Sequence, residues 1–149
     1  MSYKQKVYNH CIVHLNEKIS FLQQTLNDLK NSASNETKST AGDKHETALA
    51  MLQIEQENTN RQLKELLLQK LVLDKIDPTI RPVAITLGSL IKTNKGIFFL
   101  SIPLGKIVVE DITIIVISPK APLGVKFMSA KPNETVVING NAYLIEAIE

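Results

Sequence analysis

Apolar residues recur at alternating steps of four and three over the first half of the chain, and short β-branched runs broken by turn residues fill the second. Tyr8, Ile12, Leu15, Ile19, Leu22, Leu26 and Leu29 form the seam of a coiled-coil helix that starts near Tyr3 and runs to about Asn35. Leu49, Leu52, Thr59, Leu63, Leu66 and Leu73 continue the same register in a second helix, with Gln56 and Lys70 at its two polar seam positions. Between the helices lies a polar stretch from Ser32 to Glu46. If the helices fold back on each other, facing positions have a constant sum, and Leu29 with Leu52, Leu22 with Thr59, Leu15 with Leu66 and Tyr8 with Leu73 all satisfy this. The reversal then falls near Thr40 and Ala41, and a rise of about 1.5 Å per residue predicts a rod roughly 45 to 50 Å long.

The second helix widens its apolar surface only in its last two turns, at Leu67, Leu68, Leu71 and Val72, which predicts that the rest of the chain covers them. Asp77-Pro78 ends the helix, because a residue before proline is pushed out of the α region. Strand candidates follow at Val83 to Leu87, Ser89 to Thr93, Gly96 to Ile102, Gly105 to Val109, Thr113 to Ile117, Thr135 to Ile138 and Ala142 to Ile148. Asn94-Lys95-Gly96 and Asn139-Gly140-Asn141 supply residues suited to tight hairpin turns. Between Ser118 and Pro132 there is room for one short helix across the sheet. The expected fold is α+β: an N-terminal antiparallel coiled-coil hairpin over residues 1–77 with an acidic tip near 40–46, a linker over 78–82, and a small antiparallel-sheet domain with one short helix over 83–149.

Charge narrows the function. Residues 1–77 hold ten basic and ten acidic side chains and residues 78–149 hold seven and five, so neither half has the footprint of a protein that binds free DNA by itself. One cysteine, Cys11, rules out an internal disulfide and suits a reducing cytoplasm. No apolar run reaches the ~20 residues of a membrane span, and Met-Ser-Tyr-Lys-Gln-Lys has no apolar segment behind it. The expectation is a cytoplasmic protein without membrane contact.

Asp43 and Glu46, three apart at the opening of the second helix, admit two readings. As a capping pair, each side chain satisfies an orphan backbone amide. As a metal-binding pair, two hard carboxylate oxygens on one side of an exposed tip hold magnesium weakly until another molecule adds ligands. His10 and His14 lie four apart with Cys11 beside them, a zinc-like spacing without a clear third and fourth ligand. Ser39 and Thr40 have no His and acid partners and read as turn residues; Gly88 and Gly105 are isolated and form no phosphate loop. Lys120, Lys126 and Lys131 read as a solvated face or the lining of a docking surface.

Gly42-Asp43-Lys44-His45-Glu46-Thr47-Ala48 at the tip of such a hairpin resembles the Gly-Asp-x-x-Glu-Asn-Ala signature of the Gre family of bacterial transcript-cleavage factors, GreA and GreB. Ser118-Pro119, Leu123-Gly124 and the run from Glu134 to Ile148 resemble the end of the same family, so the similarity spans nearly the whole chain. The resemblance implies an FKBP-like C-terminal domain that docks at the rim of RNA polymerase's secondary channel, with Ser118, Pro119, Pro122 and Leu123 as docking candidates. It implies that the hairpin reaches down the channel and that Asp43 and Glu46 share a loosely held magnesium ion with the polymerase. Cleavage of backtracked RNA near its 3′ end follows, with Lys38, Lys44, His45 and Thr47 near the RNA. On this resemblance the chain is an accessory transcription elongation factor and not itself an enzyme.

Departures from the family pattern leave open an alternative, a regulator that enters the channel without promoting cleavage. Thr47 stands where the family has Asn, and Leu49-Ala50-Met51 replaces a segment that includes an aromatic residue. The basic patch near the tip is limited to Lys30, Lys38, Lys44 and His45. Prolyl isomerase activity is disfavoured, since the C-terminal domain has only Phe98, Phe99, Phe127 and Tyr143 to line a pocket.

Overall fold

The computed structural model describes residues 1–37 and 42–149, with side chains described outside 36–45. Its elements in chain order are helices α1 (Tyr3–Thr37) and α2 (Gly42–Asp74), strands β1 (Leu90–Thr93), β2 (Gly96–Leu100), β3 (Gly105–Val109) and β4 (Ile112–Ile117), helix α3 (Pro122–Phe127), and strands β5 (Thr135–Ile138) and β6 (Asn141–Ile148). They fall into two compact units, His14–Lys70 and Met1–Val13 with Leu71–Glu149. The reversal expected near Thr40 and Ala41 lies outside the described residues.

The helical unit keeps the seam. Leu15 and Ile19 are buried, Leu22, Leu26 and Leu29 are half-buried, and on α2 Thr59 is buried between half-buried Gln56 and Leu63. Gln56 Nε2 donates to the Leu29 carbonyl at 3.4 Å, so a polar seam residue finds a backbone acceptor on the facing helix. One seam position is corrected: Lys70 is exposed and Gln69 is half-buried in its place. A step of three after Leu66 followed by a step of four to Leu73 serves the same stripe and leaves the lysine ammonium in water.

In the other unit the order of strands is β3-β4-β2-β1-β6-β5. Neighbours run antiparallel except β2 and β4, which pair in parallel with Ile97 opposite Ile114 and Leu100 opposite Ile117. The segment from Ser101 to Leu104 carries the chain past the slot beside β2, and β4 returns into it after the turn at Glu110 and Asp111, both at positive φ. Val83 to Leu87 forms no strand, which corrects that expectation. Ile85 instead exchanges backbone hydrogen bonds with the segment after α3, donating to the Ala130 carbonyl at 2.8 Å and accepting from Ser129 N–H at 2.8 Å.

One face of the sheet packs Ile91, Phe98, Leu100, Val136 and Ile145 against Phe127 of α3. On the other, Leu90, Phe99, Ile114 and Val116 are buried as well. The elements of this unit left to cover that face are the first turns of α1 and the end of α2, where Val7, Cys11, Leu73 and Ile76 are buried. The Tyr3 hydroxyl donates to the Val109 carbonyl at 2.8 Å, Tyr8 to Leu73 at 2.8 Å, and Lys6 pairs with Glu110 at 2.7 Å. The covering residues are therefore Val7 and Cys11 of α1 together with Leu73 and Ile76. Leu67, Leu68 and Leu71 are exposed and Val72 is half-buried, which corrects the expectation that they would all be covered.

Burial pushes the Cys11 thiol up to about 12 from 9.0. At pH 8 this leaves about a thousandfold less thiolate than in the unfolded chain. A disulfide reagent should accordingly label the native protein at least a hundredfold more slowly than the chain in guanidinium. The raised value also stabilises the fold fully below pH 9 and progressively less as pH climbs toward 12, because the unfolded thiol ionises first.

Candidate functional site at the hairpin tip

Helix α2 begins at Gly42, so Asp43 and Glu46 are its second and fifth residues, three apart. That spacing places them on one side of the helix. A negative side chain there is favoured by the amide dipoles at the N-terminus. Glu46 and Thr47 are exposed. The side chains of Lys38, Asp43, Lys44 and His45, and with them the capping reading of Asp43, lie outside the described residues.

Two carboxylates suit a hard cation that keeps several waters, and they are too few to enclose one. Among the described residues no group of three or more His, Cys, Asp and Glu side chains comes together. His10 is exposed, His14 is half-buried and Cys11 is buried, and among the described residues they join no group of three metal-ligating side chains.

The docking candidates sit on the segment that leads into α3. Pro122 is exposed at the first turn of the helix, where a missing N–H costs nothing, and Ala121 precedes it in extended conformation. Ser118 is half-buried, and its hydroxyl accepts from Lys120 N–H at 3.1 Å while its carbonyl accepts from Ala121 N–H at 3.0 Å. Pro119 is half-buried, and Leu123 turns inward to pack on the core. Gly124 is required here, since a Cβ would overlap the Ser118 carbonyl oxygen. The Ser-Pro and Leu-Gly pairs are thus one packed corner, with Pro122 as its outward point.

Three aromatic side chains of this unit, Phe98, Phe127 and Tyr143, are packed on each other. The ring of Phe98 lies 5.2 Å from Phe127 and 5.8 Å from Tyr143, edge to face, and Phe127 lies 6.1 Å from Tyr143. They fill the space between α3 and the sheet. Lys120, Lys126 and Lys131 are exposed, and among the described residues none of them is in an ion pair.

The helical unit also carries a groove of about 760 Å³ lined by Phe21, Leu22 and Leu66 with His14, Lys18 and Arg61 on its walls. Phe21, off the seam, is 70% exposed there. Sequence periodicity marks Phe21 as an outlier and says nothing of the concavity, which depends on the spacing of two helices.

No helix among the described residues is long and apolar enough to cross a membrane. No protein-family model and no curated protein sequence matches the chain. Among solved structures, that of the transcription factor Gfh1 is similar over 91% of this chain and 91% of that one, at 12% identity and a TM-score of 0.35.

Proposed function

We propose that this chain is a transcription elongation factor that binds bacterial RNA polymerase, inserts its hairpin tip through the secondary channel and stimulates magnesium-dependent cleavage of backtracked RNA. The observation that carries the reading is the position of Asp43 and Glu46 as second and fifth residues of a 33-residue helix that packs against a 35-residue partner. From Asp43 to Lys70 the helix spans about 40 Å at 1.5 Å per residue, long enough to deliver side chains through a narrow passage. The Gly-Asp-x-x-Glu sequence at that position supplies the resemblance to the Gre family.

In this reading Asp43 and Glu46 present hard oxygen ligands on one helical side, and Gly42 lets the chain enter the helix without a side chain in the way. A magnesium ion held jointly with the polymerase supplies an activated water and offsets charge on the phosphodiester transition state. Lys38, Lys44 and His45 place positive charge beside the RNA, and Thr47 contributes a hydroxyl. Pro122, at the packed corner with Ser118, Pro119 and Leu123, faces the polymerase rim. The factor has no catalytic centre of its own and works in the cytoplasm, where the polymerase is.

The alternative, a channel-entering regulator without cleavage, draws on Thr47 and on Leu49-Ala50-Met51, where Met51 is 60% exposed and no aromatic stands near the tip. A stalled, backtracked elongation complex incubated with magnesium separates the two. Shortening of the RNA from its 3′ end on adding the protein supports the cleavage factor. Polymerase binding without a shortened product at saturating protein assigns it to the regulators.

A further inference from the structure

The sheet ends in two edge strands, β3 and β5, and the protein treats them differently. Unpaired edges invite further strands, and proteins usually blunt them with lysine, proline, bulges or a covering element. Strand β3 carries Lys106, the Tyr3 hydroxyl occupies its Val109 carbonyl, and Lys6 pairs with Glu110 at its end. Strand β5 reads Thr135-Val136-Val137-Ile138, with no charge and no proline.

The hairpin fixes which groups of β5 point away from the sheet. Asn139 and Gly140 form a two-residue turn at positive φ, and Ile138 pairs with Asn141 across it. In such a hairpin the pair next to the turn exchanges both hydrogen bonds, and alternate residues do so along the ladder. Val136 and Ile138 are thereby bonded to β6. Thr135 and Val137 direct their N–H and C=O outward.

Beside this edge lies a groove of about 430 Å³, lined by Lys126 of α3, by Met128, Ser129 and Ala130 after it, by Glu134 and by β5 itself. Val137 is 56% exposed and Val125 58%. Lys126 and Glu134 line the groove and Lys131 lies in the turn that leads to Glu134, so two exposed lysines face one exposed carboxylate there.

We propose that β5 is the docking edge for an extended acidic peptide segment of a partner protein, which adds a seventh strand and sets its acidic side chains against Lys126 and Lys131. Main-chain hydrogen bonds to Thr135 and Val137 fix its register, and alternate apolar side chains fall beside Val137 and Met128. A second copy of this chain is the poorer occupant, because pairing β5 with itself brings the lysines of both copies to one seam.

The test titrates the full chain with a synthetic peptide of about eight residues, alternating valine and threonine with a glutamate pair at each end, followed by amide NMR shifts and calorimetry. The amides of Thr135 and Val137 should shift most. Replacing the glutamates with lysines should weaken binding about tenfold or more. Val137→Pro removes an outward donor and leaves the β5–β6 ladder intact, so it should weaken binding by a similar factor with an unchanged melting temperature. Val137→Lys, which blunts the edge as β3 is blunted, decides the matter should the proline variant not fold. Equal binding of both peptides, equal binding by the Val137 variants, or unmoved Thr135 and Val137 amides at millimolar peptide would overturn the proposal. So would concentration-dependent self-association that Val137→Lys removes, since the edge would then belong to a second copy.

Discussion

Under the proposed function, replacing Asp43 by Asn and Glu46 by Gln together should abolish cleavage stimulation, by on the order of a hundredfold or more, with polymerase binding retained and melting within about 3 °C of the parent. The size of the first effect follows from charge. Asn and Gln keep shape and hydrogen bonding, but a neutral amide oxygen is a far weaker ligand for a hard divalent ion than a carboxylate. The small second effect follows from position. Asp43 and Glu46 are the second and fifth residues of α2, a carboxylate near the amide dipoles of a helix start is worth about 0.3–1 kcal/mol, and Asn serves as well as Asp if the residue caps. Cleavage assayed on backtracked complexes, paired with calorimetric melting, reads both. A melting loss of 8 °C or more would mean that the carboxylates hold the helix start, and undiminished cleavage would remove them from the chemistry.

The helical pair was legible because a coiled-coil seam writes itself as a single periodicity, and the constant sum of facing positions already implies the fold-back. Tyr8 to Leu73 and Gln56 to Leu29 then join the two helices along their facing sides. Lys70 was misplaced because a step of three then four and a step of four then three pass through the same endpoints, Leu66 and Leu73. The side of the helices that meets the sheet was not legible. Val7 and Cys11 look like scattered apolar residues beside a seam, whereas Leu67, Leu68 and Leu71 look like a packing face. Burial reverses their roles: Val7 and Cys11 are buried, and Leu67, Leu68 and Leu71 are exposed.

Within the sheet, six of seven strand candidates were found from β-branched runs. Val83 to Leu87 forms no strand because Ile85 bonds to the loop after α3 and not to a neighbouring strand. The parallel pairing of β2 with β4 leaves no local trace, since adjacent runs joined by short turns read as hairpins. At the site, Asp43 and Glu46 were visible as a spaced acidic pair. The corner made by Ser118, Pro119, Pro122 and Leu123 was visible only as a resemblance, and its physical cause, the close approach of the Ser118 carbonyl to Gly124, needs coordinates.

Phe127→Ala should lower the melting temperature of the sheet unit by roughly 10 °C. The ring is fully buried and lies 5.2 Å from Phe98 and 6.1 Å from Tyr143, so its loss leaves a void that two edge-on aromatic partners cannot close without leaving their rotamers. Truncations of this kind cost about 3–5 kcal/mol, and in a chain of this size each kcal/mol moves the transition by about 2–4 °C. Phe21→Ala is the control, because Phe21 is 70% exposed and its removal should change stability by no more than about 0.5 kcal/mol. The effect reaches function through α3. Phe127 ends the helix that Pro122 begins, so loosening its anchor frees the corner assigned to polymerase docking, and binding to polymerase should weaken before the hairpin melts. An unchanged melting temperature in Phe127→Ala would mean that α3 is not held by its aromatic contact. Normal polymerase binding by a variant that melts 10 °C lower would instead move the docking surface away from Ser118, Pro119, Pro122 and Leu123.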